Sequence, residues 1–191
     1  MKIFKILLIL AITSVTGIII EACCHGYTYK WTYIISENLN NEEISKSDTI
    51  SKQNFGIRLH LFSQKHSSSL YNPLCQSLYG AYDCFESYIR EDSIVGFKIL
   101  SIDRFNAEQG SHSDISDAFV VHYSEGNTYE RILSIHELIT QINDDYMPPS
   151  NTIDLRLKDV AITDTFHRFI IQITLSNKRE MIDTTKAVRI K

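Results

Sequence analysis

The sequence predicts a mainly β fold, a β-sandwich of immunoglobulin-like or related topology with one short helix. Segments in which apolar and polar residues alternate recur from Tyr27 to Ile190, and a period of two is what one buried face of a strand requires. Only one segment changes to helical spacing, and Asn, Ser, Gly and Pro punctuate the rest. About six or seven strands with one helix pack as two layers of sheet around one core. The single tryptophan is not bracketed by the cysteine pair that marks immunoglobulin domains, so strand order stays open.

The first strand is "YTYKWTYIIS", residues 27–36. Tyr27, Tyr29, Trp31, Tyr33 and Ile35 share its odd-numbered face, which is expected to be buried. Residues 37–53 are polar and charged and read as a surface loop. "FGIRLHLFS" follows as a second strand, with Ile57, Leu59 and Leu61 on one side and Arg58 and His60 on the other. Residues 64–92 lack a clean period and read as an irregular excursion with a helical turn. Its Tyr71, Tyr79, Tyr82 and Tyr88, with Tyr123 beyond, either line a recognition surface or pack on the sheet.

"SIVGFKILSIDRF", 93–105, carries Val95, Phe97 and Ile99 on one face and Leu100 and Ile102 on the other. Apolar residues on both faces are expected of a central strand. "DISDAFVVHYS" is a further extended segment, followed by a turn at Gly126 and Asn127. In "SIHELITQIN" the residues Ile135, Leu138, Ile139 and Ile142 recur at helical spacing, and Ser134 with Glu137 forms an S-x-x-E capping box. Asn143, two aspartates and Pro148-Pro149 are expected to stop that helix. "TIDLRLKD" alternates again. "FHRFIIQITLS" and "TTKAVRIK", flanking the polar "NKREMID", read as a closing antiparallel hairpin.

The front of the chain predicts where the protein resides. Lys2 and Lys5 precede an apolar stretch from Ile6 to Ile20. About fifteen helical residues at 1.5 Å each span roughly 22 Å, short of the ~30 Å hydrocarbon core, so a secretory signal fits better than a permanent span. Ile20, Glu21, Ala22 and Cys23 resemble a lipobox, in which the cysteine becomes the lipid-bearing first residue, although a charge at Glu21 departs from the usual pattern. Each buried acyl methylene contributes about 0.8 kcal/mol, and several chains on one cysteine tether a domain durably. Cys23 is therefore the expected lipidation site, palmitate being a typical acyl group. The expected organisation is a signal peptide over 1–22 and a single β-rich domain with a short tether over 23–191. Cleavage after Ala22 with secretion, or an uncleaved anchor, are the alternatives.

Removal of residues 1–22 takes away two lysines and one glutamate, leaving 17 basic and 22 acidic side chains. A mildly acidic chain without a Lys/Arg block lacks the electrostatic footprint of a nucleic-acid binder. In an oxidising compartment Cys75 and Cys84 can close a ten-residue ring, which the chain-entropy account values at roughly 2.5 to 3 kcal/mol. Two free thiols are the other reading, and Cys24 is left over. The cysteine and histidine spacings match no zinc site.

The lipidated cysteine, the aromatic strand "YTYKWTYI", "DSIVGFKILSIDRFN" leading into "GSHSDISDAFVV", and the closing "FIIQITLSNKREMIDTTKAVRI" together resemble a family of small lipoproteins from gut-type Gram-negative bacteria. That family is carried as a domain of unknown function. The resemblance implies an envelope lipoprotein with a β-rich domain and transfers no catalytic residues. In such bacteria an acidic run after the lipid cysteine marks outward display. "CHGYTYK" has no acid, which favours the periplasmic side of the outer membrane.

No GxSxG elbow, HExxH, P-loop, GxGxxG or SxxK with its partners occurs, so no catalytic residue, cofactor or metal is expected. His112 with Asp114 and Asp117 could hold a divalent cation, but loop aspartates more often cap turns. Cys75 or Cys84 as a thiolate nucleophile would be removed by their pairing. The Asp144-Asp145 pair reads as a polar stop after the helix. The expected function is a non-enzymatic binding or structural role at the envelope, with an envelope protein or a glycan as partner besides the membrane. A lipid-anchored hydrolase with its site in the 64–92 excursion or around His112 is the alternative. A fimbrial subunit exchanging "TTKAVRIK" is a third possibility.

Overall fold

A computed structural model describes residues 26–68, 87–125, 129–144 and 152–191. Their strands are β1 (Gly26–Asn40), β2 (Glu43–Ile44), β3 (Thr49–Ile50), β4 (Phe55–Ser68), β5 (Ser87–Arg90), β6 (Ile94–Ser101), β7 (Phe119–Glu125), β8 (Tyr129–Leu133), β9 (Thr152–Leu157), β10 (Phe166–His167), β11 (Phe169–Leu175), β12 (Glu180–Thr184) and β13 (Val188–Ile190). One helix, α1 (Ile135–Asp144), lies between β8 and β9. Contacts divide the chain into two compact units, the smaller of residues Met1–Tyr29 and Lys65–Glu91 and the larger of Lys30–Gln64 and Asp92–Lys191.

The larger unit is a β-sandwich with one short helix. Its first sheet has the order β2-β1-β4-β9-β7-β8, its second β10-β13-β3 and its third β12-β11-β6. Strict alternation builds the inner face of the first sheet: Ile57, Leu59 and Leu61 of β4, Val121 of β7 and Leu155 of β9 are all fully buried. On the third sheet Phe169, Ile171, Ile173 and Leu175 of β11 do the same. Phe169 joins the layers. Its ring lies 5.6 Å from Phe55 and 5.9 Å from Phe119 of the first sheet, 6.4 Å from Phe105, and 6.2 Å from His167 of the second. Offset and edge-on aromatic contacts of this kind add to the energy of burial alone.

The open sides of the sandwich are closed by side chains. Asp183 of β12 accepts from the Ser36 backbone N–H at 2.6 Å and from its hydroxyl at 2.7 Å, and the amide of Asn38 donates to Lys186 O at 2.9 Å. On the other side Asn143 of α1 accepts from Ile94 N–H at 3.0 Å and donates to Ile94 O at 2.7 Å. Strand edges with unpaired amides invite addition of a foreign strand, and such capping blocks it.

In the smaller unit, β5 runs parallel to the first residues of β1, Gly26 opposite Ser87 and Tyr29 opposite Arg90. The Arg90 Nε donates to the Tyr29 hydroxyl at 2.7 Å, and the Lys65 ammonium sits 3.4 Å over the Tyr27 ring. Cys23, Cys75, Cys84, Tyr71, Tyr79 and Tyr82 lie outside the described residues.

Several expectations are corrected. β1 does not bury its odd face throughout. Tyr29 and Trp31 point inward, then the phase shifts by one, so that Ile34 and Ser36 are buried while Tyr33 and Ile35 are 51% and 42% exposed. Residues 37–53 are not simply a loop, because β1 continues to Asn40, β2 and β3 follow, and Leu39 and Ile50 are buried. β6 lies at the edge of its sheet rather than in its centre. A bulge turns Val95 out of the face expected for it: Thr174 pairs with Gly96 and Leu175 with Ile94, leaving Val95 as an extra, 60% exposed residue.

The closing hairpin is β11 with β12, so part of "NKREMID" is strand, and the last strand leaves for another sheet. There β13 pairs antiparallel with β10 and parallel with β3, its Val188 and Ile190 fully buried, which does not suit an exchangeable strand. The described strands number thirteen, more than the pattern gave, because several are only two or three residues long.

The capping box forms as expected. Ser134 N–H donates to Glu137 Oε2 at 2.7 Å, Glu137 N–H donates back to the Ser134 hydroxyl at 3.2 Å, and Leu138 and Ile142 are buried. Donation by the Ser134 backbone and then its hydroxyl holds the Glu137 carboxyl below the usual glutamate range. The charged cap therefore stabilises α1 fully above that range and is lost as pH falls through the lowered value. The gap in Tm between wild type and Glu137→Gln should close as the buffer is taken from about pH 7 to about pH 3, and Ser134→Ala should cost about 1 kcal/mol at neutral pH. Phe169→Ala should cost about 3 to 5 kcal/mol in urea unfolding, with the midpoint shifted.

Candidate functional site

The outer face of the first sheet gathers side chains that no sequence motif unites. Residues paired across neighbouring strands project to the same side. Arg58 of β4 pairs with Asp154 of β9, Asp154 with His122 of β7, and His122 with Ile132 of β8, making one row. His60 pairs with Thr152 to make the next. Beyond them the ring of Tyr33 on β1 stacks on Phe62 of β4, with centroids 4.4 Å apart and planes 12° from parallel.

The polar groups are held to one another. Arg58 binds Asp154 with two parallel bonds, Nε to Oδ1 at 2.7 Å and Nη2 to Oδ2 at 2.6 Å, and its Nη2 also donates to Glu42 O at 3.2 Å. Both side chains are about four-fifths buried, at 23% and 20% exposure. The Asp154 carboxylate raises the Arg58 guanidinium above its ordinary value, chiefly through those bonds, with burial opposing. His60 Nε2 lies 3.2 Å from Glu37 Oε2 and its Nδ1 3.3 Å from Thr152 Oγ1. A carboxylate only accepts, so the ring hydrogen belongs on Nε2 and Nδ1 accepts from the Thr152 hydroxyl.

Carboxylate, imidazole and hydroxyl in this order also make up an acyl-transfer triad. That chemistry needs a cavity for the substrate and donors for the oxyanion. Among the described residues Thr152 is half-buried at the start of β9. A shallow depression of about 560 Å³ lies elsewhere, between Ser51–Gln53, Ala161–Ile162 and Ile190–Lys191. Two of its lining charges are paired, Lys52 with Asp159 at 2.5 Å and Asp164 with Arg189 at 2.8 Å, and each carboxyl is held below its usual range by its cation. The sheet face is thus built to hold polar groups still, beside exposed aromatic surface.

The His112 group does not converge. His112 is exposed with φ of 61°, and Asp114 accepts from Ser116 N–H at 3.0 Å and from its hydroxyl at 2.6 Å as a turn cap. Among the described residues no three His, Cys, Asp or Glu side chains are grouped to hold a metal ion, and no helix is long and apolar enough to cross a membrane. Of the 64–92 excursion, residues 69–86 lie outside the described residues. His167, one of the scattered histidines, is fully buried, with Nε2 2.8 Å from Thr163 O.

Sequence reasoning placed Arg58 and His60 outward correctly. It missed Glu37, Thr152 and Phe62 because their meeting depends on strand pairing, and it turned Tyr33 inward. In a double-mutant cycle, Arg58→Met and Asp154→Leu should show a coupling of about 0.5 to 1 kcal/mol, measured by urea unfolding.

No family model matches the chain, and no curated protein matches it.

Proposed function

We propose that the chain is an exported bacterial envelope lipoprotein, tethered through Cys23 on the periplasmic side of the outer membrane, and that it acts by binding rather than catalysis. The binding surface is the outer face of the first sheet. The observation that carries this reading is Tyr33, stacked on Phe62 and left half-exposed beside hydrogen-bonded polar groups. Large apolar side chains on a sheet face are normally turned inward, and exposing them costs solvation that an occupant would recover.

The tether rests on Lys2, Lys5, the apolar stretch to Ile20 and the Ala22-Cys23 junction, and it accords with the resemblance to small Gram-negative lipoproteins. In that compartment Cys75 and Cys84 are joined as a disulfide.

Cells fed an alkyne fatty acid should label the wild-type protein and leave Cys23→Ser unlabelled, with the variant no longer sedimenting with membranes. Equal labelling of both would remove the tether.

A further inference from the structure

We infer that, in the smaller unit, the face of the β1–β5 pair carrying Thr28 and Ile89 lies on the phospholipid headgroups of the leaflet that holds the anchor; this rests on the Cys23 tether proposed above and names the surface it brings to the membrane. The length of chain sets the reach. β1 begins at Gly26, three residues after Cys23, and three residues span at most about 11 Å. The polar layer of one leaflet is itself roughly 5 to 8 Å deep. A chain acylated at Cys23 therefore starts its first strand in the headgroups or at their edge. β5 runs parallel to that start, Ser87 opposite Gly26, so both strands set out from the tethered end.

The two faces of the pair differ. Side chains alternate along a strand, so Tyr27, Tyr29 and Arg90 share one face. There the Lys65 ammonium sits 3.4 Å over the Tyr27 ring, the Arg90 Nε donates to the Tyr29 hydroxyl at 2.7 Å, and Tyr29 is buried. That face is engaged by the protein's own groups. Thr28 and Ile89 stand opposite each other on the other face, and Ile89 is half exposed. A single exposed isoleucine on a sheet needs no partner by itself, but this one stands about 7 Å along β5 from the residue opposite Gly26. Its encounter with the bilayer is intramolecular, so a small apolar contact is enough to hold the strands down. A protein partner at this face would have to fit between the strands and the leaflet within the reach of three residues.

The test uses the protein purified from membranes, its acyl group read by intact mass, and reconstituted into vesicles of phosphatidylethanolamine and phosphatidylglycerol. Trp31, the single tryptophan, is fully buried, and its wild-type emission is subtracted. Ile89→Trp should add emission that is lost when the vesicles carry brominated phospholipid. Added emission that is equal in brominated and plain vesicles, from a chain whose mass includes the acyl group, overturns the surface while the tether stands. A mass without an acyl group overturns the tether and the inference with it. A photo-crosslinker at position 89 in cells gives a second reading without the tryptophan: a phospholipid adduct supports the surface, and a protein adduct or no adduct overturns it.

Discussion

Phe169 is where the layers of the larger unit meet. Its ring touches Phe55 and Phe119 from the first sheet, Phe105 from a connecting segment and His167 from the second sheet. Its backbone is held as well. Its N–H donates to the Thr185 hydroxyl at 3.0 Å, and its carbonyl accepts from Thr185 N–H at 2.9 Å. Thr185 is where the chain leaves β12 for β13, so one buried residue fixes both the spacing of the sheets and the exit toward the second one. Interiors packed this densely transmit displacement rather than absorbing it.

That constraint also decides what faces outward. Once Phe55, Ile57, Leu59 and Leu61 are committed to the core, Arg58, His60 and Phe62 have no choice of side, because a slip of one residue would exchange every inward and outward group. Pairing with β9 then brings Asp154 and Thr152 beside them. The polar network is worth little to stability, as partly exposed pairs generally are. Its significance is positional, because it keeps several hydrogen-bonding groups in fixed directions next to an aromatic pair without drawing on a mobile loop.

Much of this was legible in the residues. β4, β7, β9 and α1 could be read because their periods are clean, and the capping box of Ser134 and Glu137 is local by construction. β1 and β6 misled for a common reason: a single change of phase, near Tyr33 in one and at Val95 in the other, alters which residues are buried without altering composition. The last strand misled differently. "TTKAVRIK" looks like the partner of the strand before it, and only contacts with β3, more than a hundred residues earlier, show otherwise. The candidate site was half visible. Arg58 and His60 follow from alternation within one strand, whereas Glu37, Thr152 and Phe62 join them through register, which no single segment encodes.

The placement of β13 bears on how the molecule is made. Its three residues lie between β10 and the much earlier β3, and Lys191 both donates to Ile50 O at 3.0 Å and accepts from Lys52 N–H at 2.6 Å. A ribosome emits residues 49–50 long before 188–190, so the second sheet stays unformed until synthesis has passed residue 190. Until then Ile50 lacks the strand that covers it, and the interior of the larger unit closes only with the last residues made.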